Sequence, residues 1–502
     1  MVESGSGSRS MISHWASTMP ERSAAIENDE VFSYLELAAG ILFLRDAFTG
    51  KGLTTETLAI VDVSSPLDNR MILFALRMLG VHVVPVHHVS HLVELSKKTG
   101  AVLVLSEVEV KRGVRRAPPD LAVPVLLAPA SLRQAMRRPR DPSADPILLT
   151  GCHSIFSSGT TGRSKRVACD SASENGILAH RAEHLAFSTE TVANFGAMGP
   201  WGVGAFRVPN AVWHVGGTTV FDNRRGQRPD LHAHGVTHFF TVPTALAQVA
   251  QDWPEDLPRA DHVTVLAAGS PVSVPVVKAV TARMTNRIVN LCGCSETPRL
   301  PMIRAFDGDP DELNWLDLLP GTTTEIMRED GTPCAVGEIG ILRYLQEADA
   351  IEGYEDDPEA TAHHFRDGAF YPGDLAVRRA DGRVRFAGRE DDVLNIKGIK
   401  IPAGPIETRL IGELGVDGVC IFVGFDDSGA EILVVCIEGE EPVSKDALRA
   451  AAQHLAKQGK VAFSMHPRFP RGANGMGKVV RRHLRAEVFE RLGVREQGGA
   501  KL

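Results

Sequence analysis

The segment Ser154–Val167, SIFSSGTTGRSKRV, gathers hydroxyls and glycines and closes on a lysine. Ser157, Ser158, Thr160 and Thr161 offer O–H donors. Gly159 and Gly162 permit positive φ and bring backbone N–H groups close to an anion. Lys165 adds a point charge. Such a loop suits a polyphosphate. Its spacing, G-T-T-G-R-S-K, is not that of the Walker loop, G-x-x-x-x-G-K-[ST]. Alone, the run also fits a surface turn, so the sequence around it decides.

On both sides, short apolar β-rich runs alternate with helical spacing. Before the loop come LAIVDV (Leu58–Val63), NRMILFALRML (Asn69–Leu79), VHVVPV (Val81–Val86) and VLVLS (Val102–Ser106). This rhythm predicts buried parallel strands with crossover helices. Residues 111–146, rich in Arg and Pro, read as a connecting segment. After the loop a helix is expected around Asn175 to Leu185. A second series follows in VTHFFTV (Val236–Val242), VTVLAAG (Val263–Gly269) and IVNLCG (Ile288–Gly293). Ligands sit beyond the carboxyl ends of strands in open α/β sheets. Gly269, Ser270 and the stretch Asn290 to Glu296 are therefore site candidates. From Thr323 the pattern turns to hairpins, with Asp381-Gly382 expected as a two-residue turn. A small α+β unit closes the chain: strands Val419–Phe425 and Glu431–Glu438, a helix Ser444–Lys457 and a basic helix from Lys478.

With 502 residues the chain exceeds one core, so at least two domains are expected. Its net charge of −8, with both signs interspersed, gives no nucleic-acid stripe. No apolar run reaches membrane length. Seven cysteines without a C-x-x-C pair read as reduced thiols of a cytoplasmic protein. MVESGSGSRS reads as a flexible leader, with residues 1–23 outside the first domain. The histidines of HAHGVTH (His232, His234, His238) are expected to be solvated loop residues rather than metal ligands, and His87, His88 and His91 are read with the same caution.

Four further elements follow the hydroxyl loop in order: NLCGCSET (Asn290–Thr297), YPGDL (Tyr371–Leu375), GREDDVLNIKGIKI (Gly388–Ile401) and NGMGKVVRRHLR (Asn474–Arg485). Together with the loop they resemble the adenylate-forming superfamily of acyl-CoA synthetases, peptide-synthetase adenylation domains and luciferases. The resemblance covers the chain from about Ala24. It implies an α/β fold: a large N-terminal domain of α/β sheets with a β-rich subdomain (residues 24–390), and a small mobile α+β C-terminal domain (391–502). It also implies ATP and Mg2+, a small carboxylic acid activated to an acyl-adenylate, and a thiol of CoA or phosphopantetheine as acceptor.

Carried onto this chain, the resemblance assigns the β- and γ-phosphates to the hydroxyl loop and Mg2+ to Glu296 with Thr161. Asn290, Cys292 and Gly293 fall at the adenine, and Ser295 at the α-phosphate. Asp374 and Arg389 fall at the ribose. Lys478 would bridge carboxylate and α-phosphate, with Lys165 and Glu296 as its catalytic companions. Asp391 falls at the hinge and Gly398 in the thiol tunnel. Cys292 stands where an aromatic is usual, Ser164 where Pro is usual, and Arg166 where Gly is usual. Arg166 is expected either to add charge near the phosphates or to point to solvent.

AMGPWGVGAF (Ala197–Phe206) falls at the acid site. Trp201, Val203 and Gly204 resemble the matching run of benzoate-type CoA ligases and imply a narrow slot for an aryl or short acyl acid. Trp201 as ordinary core is the competing reading. No acidic residue lies between Glu190 and Asp222 to pair with an amino-acid ammonium. Three acceptors stay open at this point: CoA, a carrier protein (acyl or peptidyl) and an amine. So does a catalytically inactive nucleotide-binding homologue. A monomer or homodimer is expected.

Overall fold

The computed structural model describes residues 8–86, 88–118, 121, 123–138, 140–141, 144–157, 165–169, 171–222, 228–346, 350–396, 399–426, 428, 430–439, 442–455, 460–471 and 479–495. Two large sheets dominate. The first runs in the order Lys165–Cys169, His153–Ser157, His82–Pro85, Leu58–Val61, Ala101–Ser106, Val125–Ala128. All neighbours are parallel except the Lys165–Cys169 and His153–Ser157 hairpin. The second sheet has nine strands. Its parallel body is Ile288–Cys292, Thr264–Ala268, His238–Thr241, Val192–Asn194, Thr218–Phe221 and Ser23–Glu27.

Local sequence explains the connecting helices. Ser33 and Glu36 close a reciprocal cap on Tyr34–Phe48. Ser65 caps Pro66–Met78, with the proline in the first turn. Strands such as Leu58–Val61 are buried along their whole length, which is why their sequences are continuously apolar. One core joins the sheets: Val61 and Val83 of the first, Ala193 and Phe240 of the second, and Phe74 and Trp213 from helices between them.

A third, largely antiparallel sheet holds Thr324–Met327, Ile339–Leu345, Asp374–Arg378 and Val384–Arg389. Residues 394–494 build two cores of their own, one including Leu394, Leu410, Val435 and Leu455, the other Phe422, Val434 and Phe489. Helix Ala403–Leu414 abuts the third sheet at Gly404, where an added Cβ would lie 2.7 Å from the Ala387 carbonyl oxygen. No helix among the described residues is long and apolar enough to cross a membrane.

Three expectations need correction. The leader is not loose throughout: Met11–Thr18 is a helix capped by Ser10, with Ile12 fully buried in the main core. The Arg- and Pro-rich connector contains the edge strand Val125–Ala128, whose short apolar run is masked by its surroundings. The Asp381-Gly382 turn is longer than two residues, because the last cross-strand bond runs from Arg379 N–H to the Arg383 carbonyl and leaves residues 380–382 between them.

Candidate active site

The hydroxyl segment is mostly hairpin. His153–Ser157 and Lys165–Cys169 pair antiparallel with Ser157 opposite Lys165, so the loop proper is residues 158–164. Ser158, Gly159, Thr160, Thr161 and Gly162 therefore lie outside the described residues, as do Ser164, Gly398 and Lys478.

One end of that loop, Ser157, meets Glu296, and the other, Lys165, meets Tyr354, which also bonds Glu296. Glu296 follows strand Ile288–Cys292 and is buried, 6% exposed. Its Oε1 accepts from Ser157 Oγ at 2.7 Å and from Tyr354 OH at 2.8 Å. Oε2 receives no bond from the described residues. A carboxylate with one oxygen fixed and the other open fits a Mg2+ ligand, since hard cations prefer carboxylate oxygen. Burial and the adjacent Glu296 both push the Tyr354 hydroxyl's pKa far up, so it stays a donor.

Lys165 lies across the Tyr354 ring, 5.0 Å from Nζ to centroid. Its Nζ is 2.5 Å from His364 Nε2. His364 ends helix Pro358–His364, whose cap is the Asp357 side chain accepting from Ala360 N–H. His364 Nδ1 lies 2.6 Å from the Tyr371 carbonyl oxygen and must donate to it. Nε2 is then the acceptor for the ammonium. Burial lowers the pKa of Lys165, and Glu296 and Asp357 oppose that shift.

Asp374 and Arg389 face each other in register on paired strands, with Arg389 Nη1 donating to Asp374 Oδ1 at 2.8 Å. Gly373, at φ 79°, makes room: a Cβ there would sit 3.1 Å from the Arg389 guanidinium. Arg389 and the exposed Asp391 both act electrostatically on Lys165, so the Asp374–Arg389 pair lies near that lysine.

Gly269, at φ 102°, and Ser270 lie just beyond strand Thr264–Ala268, and Cys292 and Gly293 at the end of its parallel neighbour. Asn290 is 4% exposed, and its amide donates to Leu313 O and Asn314 Oδ1. Cys292 is half-buried beside Tyr344, and the Tyr344 hydroxyl is bonded to its thiol. Ser295 is buried next to Glu296. Trp201 is half-buried and lies over Gly199, so it is not core. Val203 and Gly204 open helix Val203–His214, and Gly204 allows Phe240 to approach.

Arg166 does neither of the things expected of it. It pairs with Glu355 and Asp356 at 2.6 Å each, which anchors the segment carrying Tyr354 to the hairpin. His232, His234 and His238 do not converge: His232 meets the Pro258 carbonyl, His234 meets Asp29, and His238 meets Thr237. Among the described residues no three His, Cys, Asp or Glu side chains form a metal-holding group.

Sequence reading missed Tyr354 and His364. The signal was present in the Gly353-Tyr354 pair four residues before a proline-started, Asp-capped helix.

Residues 12–354 match the AMP-binding enzyme family. The chain is similar to an L-proline--[L-prolyl-carrier protein] ligase of Pseudomonas fluorescens, 24% identical over 95% of this chain and 98% of that protein. It is also 24% identical, over 95% of its length, to a linear gramicidin synthase of Brevibacillus parabrevis, but spans only 6% of that much longer protein. The o-succinylbenzoate CoA synthetase of Bacillus subtilis, solved with its acyl-adenylate intermediate, superposes with a TM-score of 0.78 at 18% identity, covering 96% of this chain and 98% of that one. A match over residues 12–354, on a fold that superposes almost end to end, places the chain in the AMP-binding enzyme family of the adenylate-forming superfamily.

Proposed function

We propose that this enzyme joins an aryl or short acyl carboxylic acid to the α-phosphorus of ATP, releases pyrophosphate, and passes the acyl group to a thiol. Acid activation by adenylation is the part its family carries. The thiol, and CoA as its first candidate, is the finer reading.

The observation that carries the proposal is the convergence on Glu296. Ser157 from one sheet and Tyr354 from a distant loop hold one oxygen of this buried carboxylate, with Lys165 lying across the same tyrosine. Two anions must meet in the first step, so catalysis is chiefly positioning and charge stabilisation. Mg2+, when bound at Glu296, would neutralise phosphate oxygens. Lys165 supplies a fixed cation, and the loop beyond Ser157 supplies hydroxyl and backbone donors. Asp374, steadied by Arg389, is proposed to accept ribose hydroxyls. One carboxylate oxygen of the acid forms the new bond to phosphorus while the bond to pyrophosphate breaks.

The separate cores of residues 394–494 support a boundary near Asp391 between an N-terminal domain, 24–390, and a C-terminal one. Lys478 and Gly398 are proposed to act from the second domain, the lysine at the α-phosphate and the glycine along the thiol path. Trp201 beside Gly199 supports a flat acid slot. The absence of any acidic residue in positions 191–221 speaks against an α-amino acid.

Exchange of labelled pyrophosphate into ATP, screened over aryl and short acyl acids, tests the first step. One or a few acids should support exchange; an inactive homologue would support none. Incubating the active acid with CoA, a phosphopantetheinyl carrier protein or an amine then separates the acceptors.

A further inference from the structure

Behind the hydroxyl hairpin lies a cavity of about 510 Å³, within the size range of small-molecule sites. Its walls include His153 and Cys169 of the hairpin, Glu174 of helix Ser171–His184, Phe206 and Arg207 of the next helix, and Tyr354. Tyr354 is shared: its hydroxyl faces Glu296 while it also closes the cavity.

Three carboxylates and one arginine line this cavity: Glu174, Glu352, Glu355 and Arg207. Glu355 is taken by Arg166, and Glu352 is exposed. Glu174 is taken by the buried Arg77, at 2.6 Å. Arg207, 4% exposed, donates to the carbonyls of Thr297 and Pro298 and to Cys169 Sγ. Its neighbour Arg181 is equally buried and donates to the same Pro298 carbonyl. Among the described residues neither guanidinium forms an ion pair with a carboxylate. Carbonyls satisfy N–H groups, but they do not neutralise a cation. His153 is 1% exposed and lies against Phe206, ring centroids 4.0 Å apart, and both its ring nitrogens lack a partner. Buried polar groups are normally hydrogen-bonded, so this imidazole holds unused hydrogen-bonding capacity at the cavity wall.

We propose that this cavity binds a carboxylate group, held by Arg207 and the His153 ring N–H, with the organic body of the acid against Phe206 and the helix Ser171–His184. Burial keeps His153 neutral at pH 7, so it has one N–H to give. A guanidinium and a carboxylate match in charge and in planar geometry. The carboxylate is either a second acid group of the molecule being adenylated or belongs to a separate acid. The first source rests on the function proposed above; binding itself does not.

The test uses the full-length protein and a matched pair, hexanoate and adipate. Calorimetry without nucleotide is expected to detect binding of at least one. The His153→Phe variant, which keeps the ring on Phe206, should weaken that binding about tenfold, the loss of one charge-assisted hydrogen bond. Arg207→Met should weaken it further; should that variant misfold, His153→Phe decides alone. Pyrophosphate exchange then identifies the source. A preference for adipate that vanishes in His153→Phe assigns the carboxylate to the substrate. Exchange indifferent to His153→Phe, with binding still weakened, assigns it to a separate acid. If no acid supports exchange, the adenylation reading fails while the binding result still judges the cavity. Absence of binding by both acids, or equal affinity in wild type and His153→Phe, overturns the proposal.

Discussion

Lys165 Nζ sits 2.5 Å from His364 Nε2, and that contact requires an unprotonated imidazole. Burial holds the His364 pKa below its ordinary value. The unfolded chain therefore takes up the extra proton first. The stabilisation is fully present above the unfolded imidazole value of about 6.5 and is lost as pH falls through the lower folded value. Protonation would set two cations against each other beside the phosphate hairpin. Exchange activity should fall on the acid side over that window. His364→Gln retains an acceptor that does not titrate and should flatten this limb. His364→Leu should lose about tenfold in kcat/KM at neutral pH, one hydrogen bond to a charged group. An unchanged acid limb in His364→Gln would assign the limb to another group.

Tyr354→Phe removes one of the two hydroxyls on Glu296 Oε1 and keeps the ring under Lys165. Loss of a bond to a buried carboxylate costs about 1.5–3 kcal/mol. Exchange should drop by roughly ten- to a hundredfold with a raised Mg2+ requirement. A Mg2+ titration of wild type and variant checks this. The same loss without any shift in the Mg2+ dependence would show that Tyr354 supports the fold rather than Glu296.

How much of this site could be read from the sequence depends on how local each signal is. The hairpin at Ser154–Val167 and the Asp374–Arg389 pair lie in compact motifs, and the structure sets Ser157 opposite Lys165 and Asp374 opposite Arg389. The parallel strands were legible because burial on both faces leaves an unbroken apolar run. Contacts over long separations were not. Ser157 and Glu296 are 139 residues apart, and Lys165 and His364 are 199 apart. Arg166 looked like a spare charge because its partners, Glu355 and Asp356, belong to a segment that only folding brings near. No motif singles out His153; its significance is the empty hydrogen-bonding capacity of a buried ring.

Arg389 steadies Asp374 from the facing strand. Asp374→Ala should raise the KM for ATP by roughly tenfold or more, the worth of charge-assisted hydrogen bonds to a ribose, with a smaller effect on kcat. GTP, which shares the ribose, should suffer equally wherever it is used. A variant whose KM for ATP is unchanged would remove Asp374 from the nucleotide site.

Glu174 and Arg77 form a buried ion pair, Arg77 being 1% exposed. Glu174→Gln strands the guanidinium without its counter-charge. Removal of one partner from such a pair costs about 3–5 kcal/mol. Chemical denaturation should show a lower midpoint with an unchanged slope. A midpoint equal to wild type would mean that Arg77 finds another anion.

Arg481 links the last helix to the segment following the proposed hinge. Its Nε lies 2.9 Å from Asp392 Oδ1 and its Nη1 2.9 Å from Glu407 Oε1. Lys478 precedes this arginine by three residues, so rotation about Asp391 would carry the lysine with the body that Arg481 helps to hold together. A lysine that arrives only for the first half-reaction has a separable effect. Lys478→Ala should cut adenylate formation by about a hundredfold or more, the usual cost of losing a charge aimed at the transition state. Thioester formation from a supplied acyl-adenylate should proceed at close to the wild-type rate. Single-turnover measurement of each half-reaction checks this, and equal loss in both would mean that Lys478 serves the structure of the last helix rather than the first chemical step.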